Sequence, residues 1–229
     1  MKLYSAHQSS FLPWIGFWDK VNQSEIFDLG IYDQFTADTW QNYTYIGDKT
    51  AKMKWGLPLA KYDQSTHPSI KQIKVIPDFS DGLLTAFFQR HNSDKFFNTI
   101  FPLLENWLYS VDKLNNLWEI NNILFQRVYE VLDLSAIVVS SPKLPTAEPT
   151  NDIIDCASMY KCDSYYSGPH GKYYLKEQLF PKNHIKLIYQ DSEEMYHKYP
   201  VSIVSTISSI GIFETKKILL ENKLKPRKK

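Results

Sequence analysis

The chain has 229 residues, 43% of them hydrophobic, enough to bury a core as one domain or as a core with a helical insertion. Its formal net charge of +1 supplies no field that would gather nucleic acid over the whole surface, so nucleic acid is not an expected partner and ligands are small or locally recognised. No apolar run approaches the roughly 20 residues needed to cross a bilayer, and the N-terminus lacks the basic-then-apolar layout of a signal peptide, which predicts a cytoplasmic protein without a transmembrane segment.

Residues 2–6 read as a short apolar strand, followed by a turn containing Pro13 and Gly16 and an aromatic-rich helix to about Gln23. This places His7 at the carboxyl end of the first strand, facing the next helix, where open α/β sheets carry their chemistry. An imidazole titrates near neutral pH, so His7 is a candidate general base; the alternative is a hydrogen-bonded structural histidine. Residues 26–33 read as a second, parallel strand bracketed by Ser24 and Asp33. Segments 40–46 and 55–59, punctuated by Gly47-Asp48 and Pro58, predict short irregular β structure, followed by 70–76.

The middle of the chain turns helical. Segments 82–90, 93–109 and 113–132 carry apolar residues at three-to-four spacing, with Ser93 and Asp94 as a helix start, so 78–134 reads as a mainly helical insertion. The aromatic stripe Phe87, Phe88, Phe96, Phe97, Phe101 and Trp107 has the spacing of a buried face rather than of a cofactor box.

An α/β rhythm then returns, with a strand at 136–140, a loop at 142–149 and a helix capped by Thr150 with Asp152 and Asp155 in its first turn. Residues 164–167 form the next strand. Gly168-Pro169-His170-Gly171 follows directly and leads into a helix at 172–180, a turn whose backbone N–H groups suit an anion or oxyanion. A strand at 185–190 and helices at 201–209 and 214–221 close the fold. The last seven residues, 223–229, form a basic tail, a solvated end or a contact for an acidic partner or anionic lipid. Cys156 and Cys162 lack metal-motif spacing and read as packed thiols. The expected fold is therefore one α/β domain over 1–222, with a mixed, largely parallel sheet and a ligand crevice at the strand C-terminal ends.

The run His7-Gln8, two variable residues, Phe11-Leu12-Pro13-Trp14-Ile15-Gly16-Phe17, Asp19-Lys20, then Gln23 to Phe27 and Asp33, resembles the WbqC-like protein family. Trp40-Gln41-Asn42, Asp155-Cys156 and the block from Tyr166 to Leu175 agree with it, and the resemblance spans about residues 3 to 212. Five positions depart from the family pattern. Ser9 stands for the usual Pro, Asp38, Thr39 and Tyr43 for basic residues around Trp40-Gln41-Asn42, and Ser205 for an acidic residue. The resemblance implies a role in bacterial surface-polysaccharide (O-antigen) synthesis, acylating or aminoacylating an amino sugar carried on a nucleotide.

Such a transfer needs a base for the attacking amine, donors for the oxyanion and contacts for the diphosphate. His7 is the candidate base and Asp33 its orienting group or a ligand for a sugar hydroxyl. The amides around Gly168 and Gly171 with Ser167 and His170 are candidate oxyanion or phosphate contacts, and Lys20 and Lys172 candidate phosphate contacts. Gln8, Trp14, Trp40 and Asn42 fit sugar recognition. No tightly bound cofactor is expected. The acyl donor is a thioester of a carrier protein or coenzyme A, or an aminoacyl donor.

Other readings stay open. Cys162 or Ser167 activated by His7 or His170 gives an acyl-enzyme, although the Gly-x-Ser-x-Gly elbow is absent. No short ligand cluster supports a metal site from His7, Asp33 and His170. A nucleotidyltransferase shares the histidine after strand one, but its His-x-Gly-His pair is missing: Gln8, Ser9 and Ser10 follow His7. The last alternative is a non-catalytic sugar-nucleotide-binding subunit of a polysaccharide assembly complex.

Overall fold

The apolar opening Leu3–Gln8 forms strand β1, and the chain continues through α1 (Ile15–Gln23), β2 (Ile26–Gly30), β3 (Tyr43–Ile46) and β4 (Met53–Gly56). Three helices follow, α2 (Ser80–His91), α3 (Phe97–Val111) and α4 (Leu117–Leu132), then β5 (Ile137–Val139), α5 (Pro149–Met159) and β6 (Ser164–Ser167). Helix α6 (Leu179–Lys182), strand β7 (Lys186–Tyr189), α7 (Glu193–Lys198) and α8 (Ile203–Glu221) complete it. The computed structural model describes residues 1–140 and 146–222. Residues 142–145 of the loop expected at 142–149, and the basic tail at 223–229, lie outside the described residues.

The expected α/β architecture is present. Five strands pair in parallel in the order β5-β2-β1-β6-β7. Among the described residues antiparallel pairing is found in a separate β3–β4 hairpin and in isolated bridges outside the strands. The chain leaves β1 in one direction toward β2 and β5 and returns on its other side to β6 and β7. β1 and β6 therefore flank the point where strand order reverses, and a crevice opens there because the connecting segments diverge.

Side chains alternate between the two faces of the sheet. Tyr4 and Ile26, paired in register, belong to a core with Ile154, Ala157, Tyr165 and Phe180 under α5 and α6. Phe27 and Leu29 point the other way, into a larger core with α1, α4 and α8. There Phe125 stacks on Trp18 at 5.1 Å and on Phe27 at 6.0 Å between ring centroids. The aromatic stripe of α2 and α3 is core, with Phe87 and Phe97 buried and Phe97 stacked on Phe101 at 4.7 Å, while Phe88 reaches the surface.

Helix α1 is buried from Ile15 to Val21, including the charged Asp19 and Lys20. The Asp19 carboxylate accepts from Tyr166 Oη (3.1 Å), Gln190 Nε2 (2.8 Å), Asn222 Nδ2 (2.9 Å) and Gln23 Nε2 (3.3 Å). It thus ties α1 to β6, to the end of β7 and to the end of α8, and these donors offset the loss of hydration that a buried carboxylate suffers.

Several elements differ from the sequence reading. β2 ends at Gly30, so Asp33 sits three residues beyond the strand, in a turn rather than at the strand end. Residues 70–76 supply a 3-10 turn (Ile70–Gln72) and isolated bridges instead of a strand. Helix α3 begins at Phe97 rather than Ser93, because Asp94 is engaged by His91. Glu148, not Thr150, precedes α5, whose first residue is Pro149; the Thr150 hydroxyl accepts from the Lys176 amide instead. In place of a helix at 172–180, a 3-10 turn (Pro169–Tyr173) and the short α6 follow β6. The two C-terminal helices join into α8 across a kink at Gly211, where φ is +85° and Phe96 fills the space a Cβ would need. Helix α7 was not anticipated from the periodicity.

Candidate functional site

A cavity of about 1260 Å³ lies over the C-terminal ends of β1, β2 and β6. Among the sequence-predicted residues, His7, Gln8, Trp14, Lys20, Asp33, Trp40, Gly168, His170, Gly171 and Lys172 line it. The two strand-to-helix turns, one with His7 and one after Ser167, therefore share one space. Asn42 and Ser167 do not line it. Asn42 belongs to the hairpin, where its carbonyl accepts from the Leu57 amide at 2.8 Å. Ser167 is buried, and its hydroxyl donates to the Gly168 carbonyl at 3.0 Å.

His7 is the last-but-one residue of β1, half-buried, with its ring edge-on to Phe17 of α1 at 4.8 Å. Its Nδ1 lies 2.9 Å from the Gln8 carbonyl, which only accepts, so in the neutral ring Nδ1 carries the hydrogen and Nε2 keeps its lone pair. Burial, with the Lys20 cation adding to it, pushes the pKa down to about 3, and the ring is neutral at physiological pH.

Lys20 is an interior residue, 4% exposed, not the surface lysine that a helix position first suggests. Its Nζ donates to the Ala6 carbonyl at 2.8 Å, the one hydrogen bond it makes among the described residues. Burial, opposed in part by the Asp19 charge, brings its pKa down to about 7.

On the β2 side stand two carboxylates. Asp28 was not foreseen; it is 4% exposed and accepts from Tyr4 Oη at 2.8 Å. Its signal was a charge at the centre of an otherwise apolar five-residue parallel strand, a position that buries a side chain on either face. Asp33 packs against Gly30, where any Cβ would collide with its carboxylate. Burial and the neighbouring Asp28 push the Asp33 pKa up to about 6. Tyr165, Gln190 and Asp191 are further wall residues that the sequence reading does not pick out.

The 3-10 turn after β6 is shaped by one glycine. A Cβ on Gly171 would strike the Ser167 hydroxyl and meet Leu175, whereas Gly168, at φ −62°, has open space around it. His170 stacks on Tyr173 at 6.0 Å, with Lys172 Nζ 5.1 Å from the Tyr173 ring centre. Trp14 lies over Gly16 and meets Tyr196 edge-on at 5.5 Å. Cys156 lines the cavity; Cys162 does not, and burial pushes its thiol pKa up, away from the nucleophilic thiolate. Both cysteines are buried and neither forms a disulfide. Among the described residues no group of three or more His, Cys, Asp or Glu side chains is placed to hold a metal ion. No helix among them is long and apolar enough to cross a membrane.

The arrangement combines a hydrogen-bond acceptor (His7 Nε2), a buried amine and a carboxylate pair around one chamber, the ingredients of proton transfer on a ligand with groups of both charges. The chain is similar to an uncharacterized protein, Rv1507c, of Mycobacterium tuberculosis, 24% identical over 230 residues that cover 92% of this chain and 95% of the relative. No solved structure matches. The WbqC-like protein family matches residues 8–213, which takes in every cavity residue named above except Tyr4, Ala6 and His7. The chain belongs to the WbqC-like protein family.

Proposed function

We propose that the protein is a cytoplasmic transferase that forms an amide on the amino group of a nucleotide-linked sugar, taking its acyl or aminoacyl group from a thioester or aminoacyl donor for surface-polysaccharide synthesis. The observation that carries the reading is the division of charge in the cavity, with Asp28 and Asp33 on the β2 side and the buried Lys20 on the other. A ligand with an ammonium at one end and phosphates at the other matches it. The sugar ammonium docks at Asp28 and Asp33, where buried carboxylates gain from a positive partner. It becomes a nucleophile by giving one proton to that pair, Asp33 being shifted toward neutrality. The amine nitrogen then bonds to the acyl carbon, its remaining extra proton passes to His7 Nε2, and the carbon–sulfur bond breaks with the thiolate leaving to collect that proton. Direct transfer is favoured over an acyl-enzyme because Ser167 and Cys162 do not line the chamber. An acyl-carrier protein fits as donor, with coenzyme A as the small-molecule equivalent.

Mass spectrometry of the protein incubated with a panel of nucleotide-linked amino sugars and acyl thioesters tests the reading. Appearance of an amide-linked product supports it. Pyrophosphate release without amide formation would point to nucleotidyl transfer, and tight sugar-nucleotide binding without product to a non-catalytic subunit; either result ends the amide-forming reading.

A further inference from the structure

We propose that Lys20 is an anion site whose occupancy switches on His7: a phosphate or diphosphate oxygen docks on the N–H groups of Lys20 that the fold leaves open, and its charge releases the imidazole to act as a base. The choice of anion rests on the nucleotide-sugar reading; the site itself rests on geometry.

An ammonium group has three donors. Among the described residues one acceptor, the Ala6 carbonyl, meets a side chain that is 4% exposed and lines the cavity. Burying the other donors without acceptors opposes folding unless a ligand meets them. The lysine thus stands as a preformed, desolvated cationic contact, in which an anion finds a stronger partner than on a hydrated surface lysine. The carbonyl that holds it belongs to the residue before His7, so the amine and the imidazole share one stretch of β1. The same proximity makes the Lys20 charge one of the two causes that hold His7 far below its usual range.

An anion on Lys20 cancels that contribution and adds negative charge beside the ring, so the imidazole gains proton affinity when the ligand is in place. The other charged groups near the pair are Asp19 on α1 and Asp28 and Asp33 on the β2 side. The remaining walls present Asp152 from α5, His170 and Lys172 from the turn after β6, and Asp191 and Glu193 beyond β7. All of these belong to the chain with or without the anion, which leaves the anion's own charge as the variable. An empty site then holds a weak base that does not trap protons, and a filled site holds a stronger one.

The test uses the full chain with ring-labelled histidine, inorganic pyrophosphate as the probe, and NMR titration of the His7 ring. Saturating pyrophosphate is expected to raise the His7 pKa in the wild-type protein. Lys20→Met is expected to weaken pyrophosphate binding by about tenfold or more, to raise the His7 pKa of the free protein, and to abolish its response to the probe. A His7 pKa that ignores saturating pyrophosphate, or binding unchanged by Lys20→Met, overturns the proposal. The wild-type titration decides the matter even where the variant does not fold. Pyrophosphate results as expected, with no amide formed from any sugar and donor pair, would remove the transferase reading and leave the anion switch standing.

Discussion

Two histidines in this protein hold opposite positions. His91 has the hydrogen bonds of a hydrolytic triad: Nδ1 lies 2.7 Å from Asp94 Oδ2, and Nε2 lies 3.0 Å from Ser205 Oγ. Nε2 also accepts from the Gly47 amide at 3.1 Å, and His91 and Ser205 are 2% and 1% exposed, outside the large cavity. Its single lone pair is committed and no substrate reaches it. His7 has no carboxylate on Nδ1, only the Gln8 carbonyl, yet it keeps Nε2 open on a chamber. Distances within a constellation do not make a catalytic group; a free lone pair with room for a ligand does. His91 instead fastens the hairpin end at Gly47 and helix α8 to the end of α2.

The sharpest way to break this contrast is to replace each histidine. His7→Gln should cut amide formation on the order of a hundredfold or more while leaving the thermal midpoint within a few degrees. Steady-state rates and a melting curve check it; a large loss of stability with full specific activity would make His7 the structural residue. His91→Ala should do the reverse, lowering stability by about 2–4 kcal/mol in denaturant titration, because it leaves the Gly47 amide and the Ser205 hydroxyl without their acceptor. The folded fraction should keep its turnover.

The cavity wall itself sharpens the comparison between packed and open positions. Gly171→Val must displace the Ser167 hydroxyl and Leu175, so both stability and turnover should fall. Gly168→Val meets open space and should spare the melting temperature while lowering ligand affinity, by calorimetry with a sugar nucleotide. Equal stability losses in the two variants would show that the turn tolerates no Cβ anywhere. The smallest effect concerns pH. The unfolded His7 binds a proton below its ordinary pKa of 6.5, whereas the folded one does so only near 3. Wild-type stability therefore falls as pH drops through that window. His7→Gln should gain on the wild type there by at most about 1.4 kcal/mol per pH unit, seen in denaturant midpoints from pH 6.5 downward.

Much of the fold was legible because β1, α1, β2 and β6 announce themselves locally, through apolar runs closed by Gly, Ser or Pro. Strand ends then bring His7 and the Gly168–Gly171 turn together by topology alone, since ligands in open α/β sheets gather where strand order reverses. What local pattern does not carry is burial of polar groups. Lys20 and Asp19 look like the solvent face of a helix, but α1 is enclosed between the sheet and α8, the Asp19 carboxylate is met by residues from the far end of the sequence, and Lys20 turns inward to the Ala6 carbonyl. Asp28 passed unnoticed for the same reason. Asn42 was drawn into the site by its neighbour Trp40, which does line the cavity, although the hairpin turns the amide away. The turn after β6 was read as helical because Lys172 to Phe180 lacks a breaker, whereas Pro169 and the tight Gly171 contact with Ser167 hold it in 3-10 form.

The four donors around Asp19 also bear on how this polypeptide is made. β1 and α1 leave the ribosome before β2, which follows at once, so one side of β1 is paired early. Its other side waits for β6, and Asp19 waits for Tyr166, Gln190 and finally Asn222, the last of the described residues. Throughout synthesis of residues 31–163 the nascent chain carries an open parallel edge and a carboxylate whose interior partners do not yet exist. Closure of the sheet is thus a late, long-range event, and the hazard of edge-to-edge association is concentrated in that interval rather than in the finished protein.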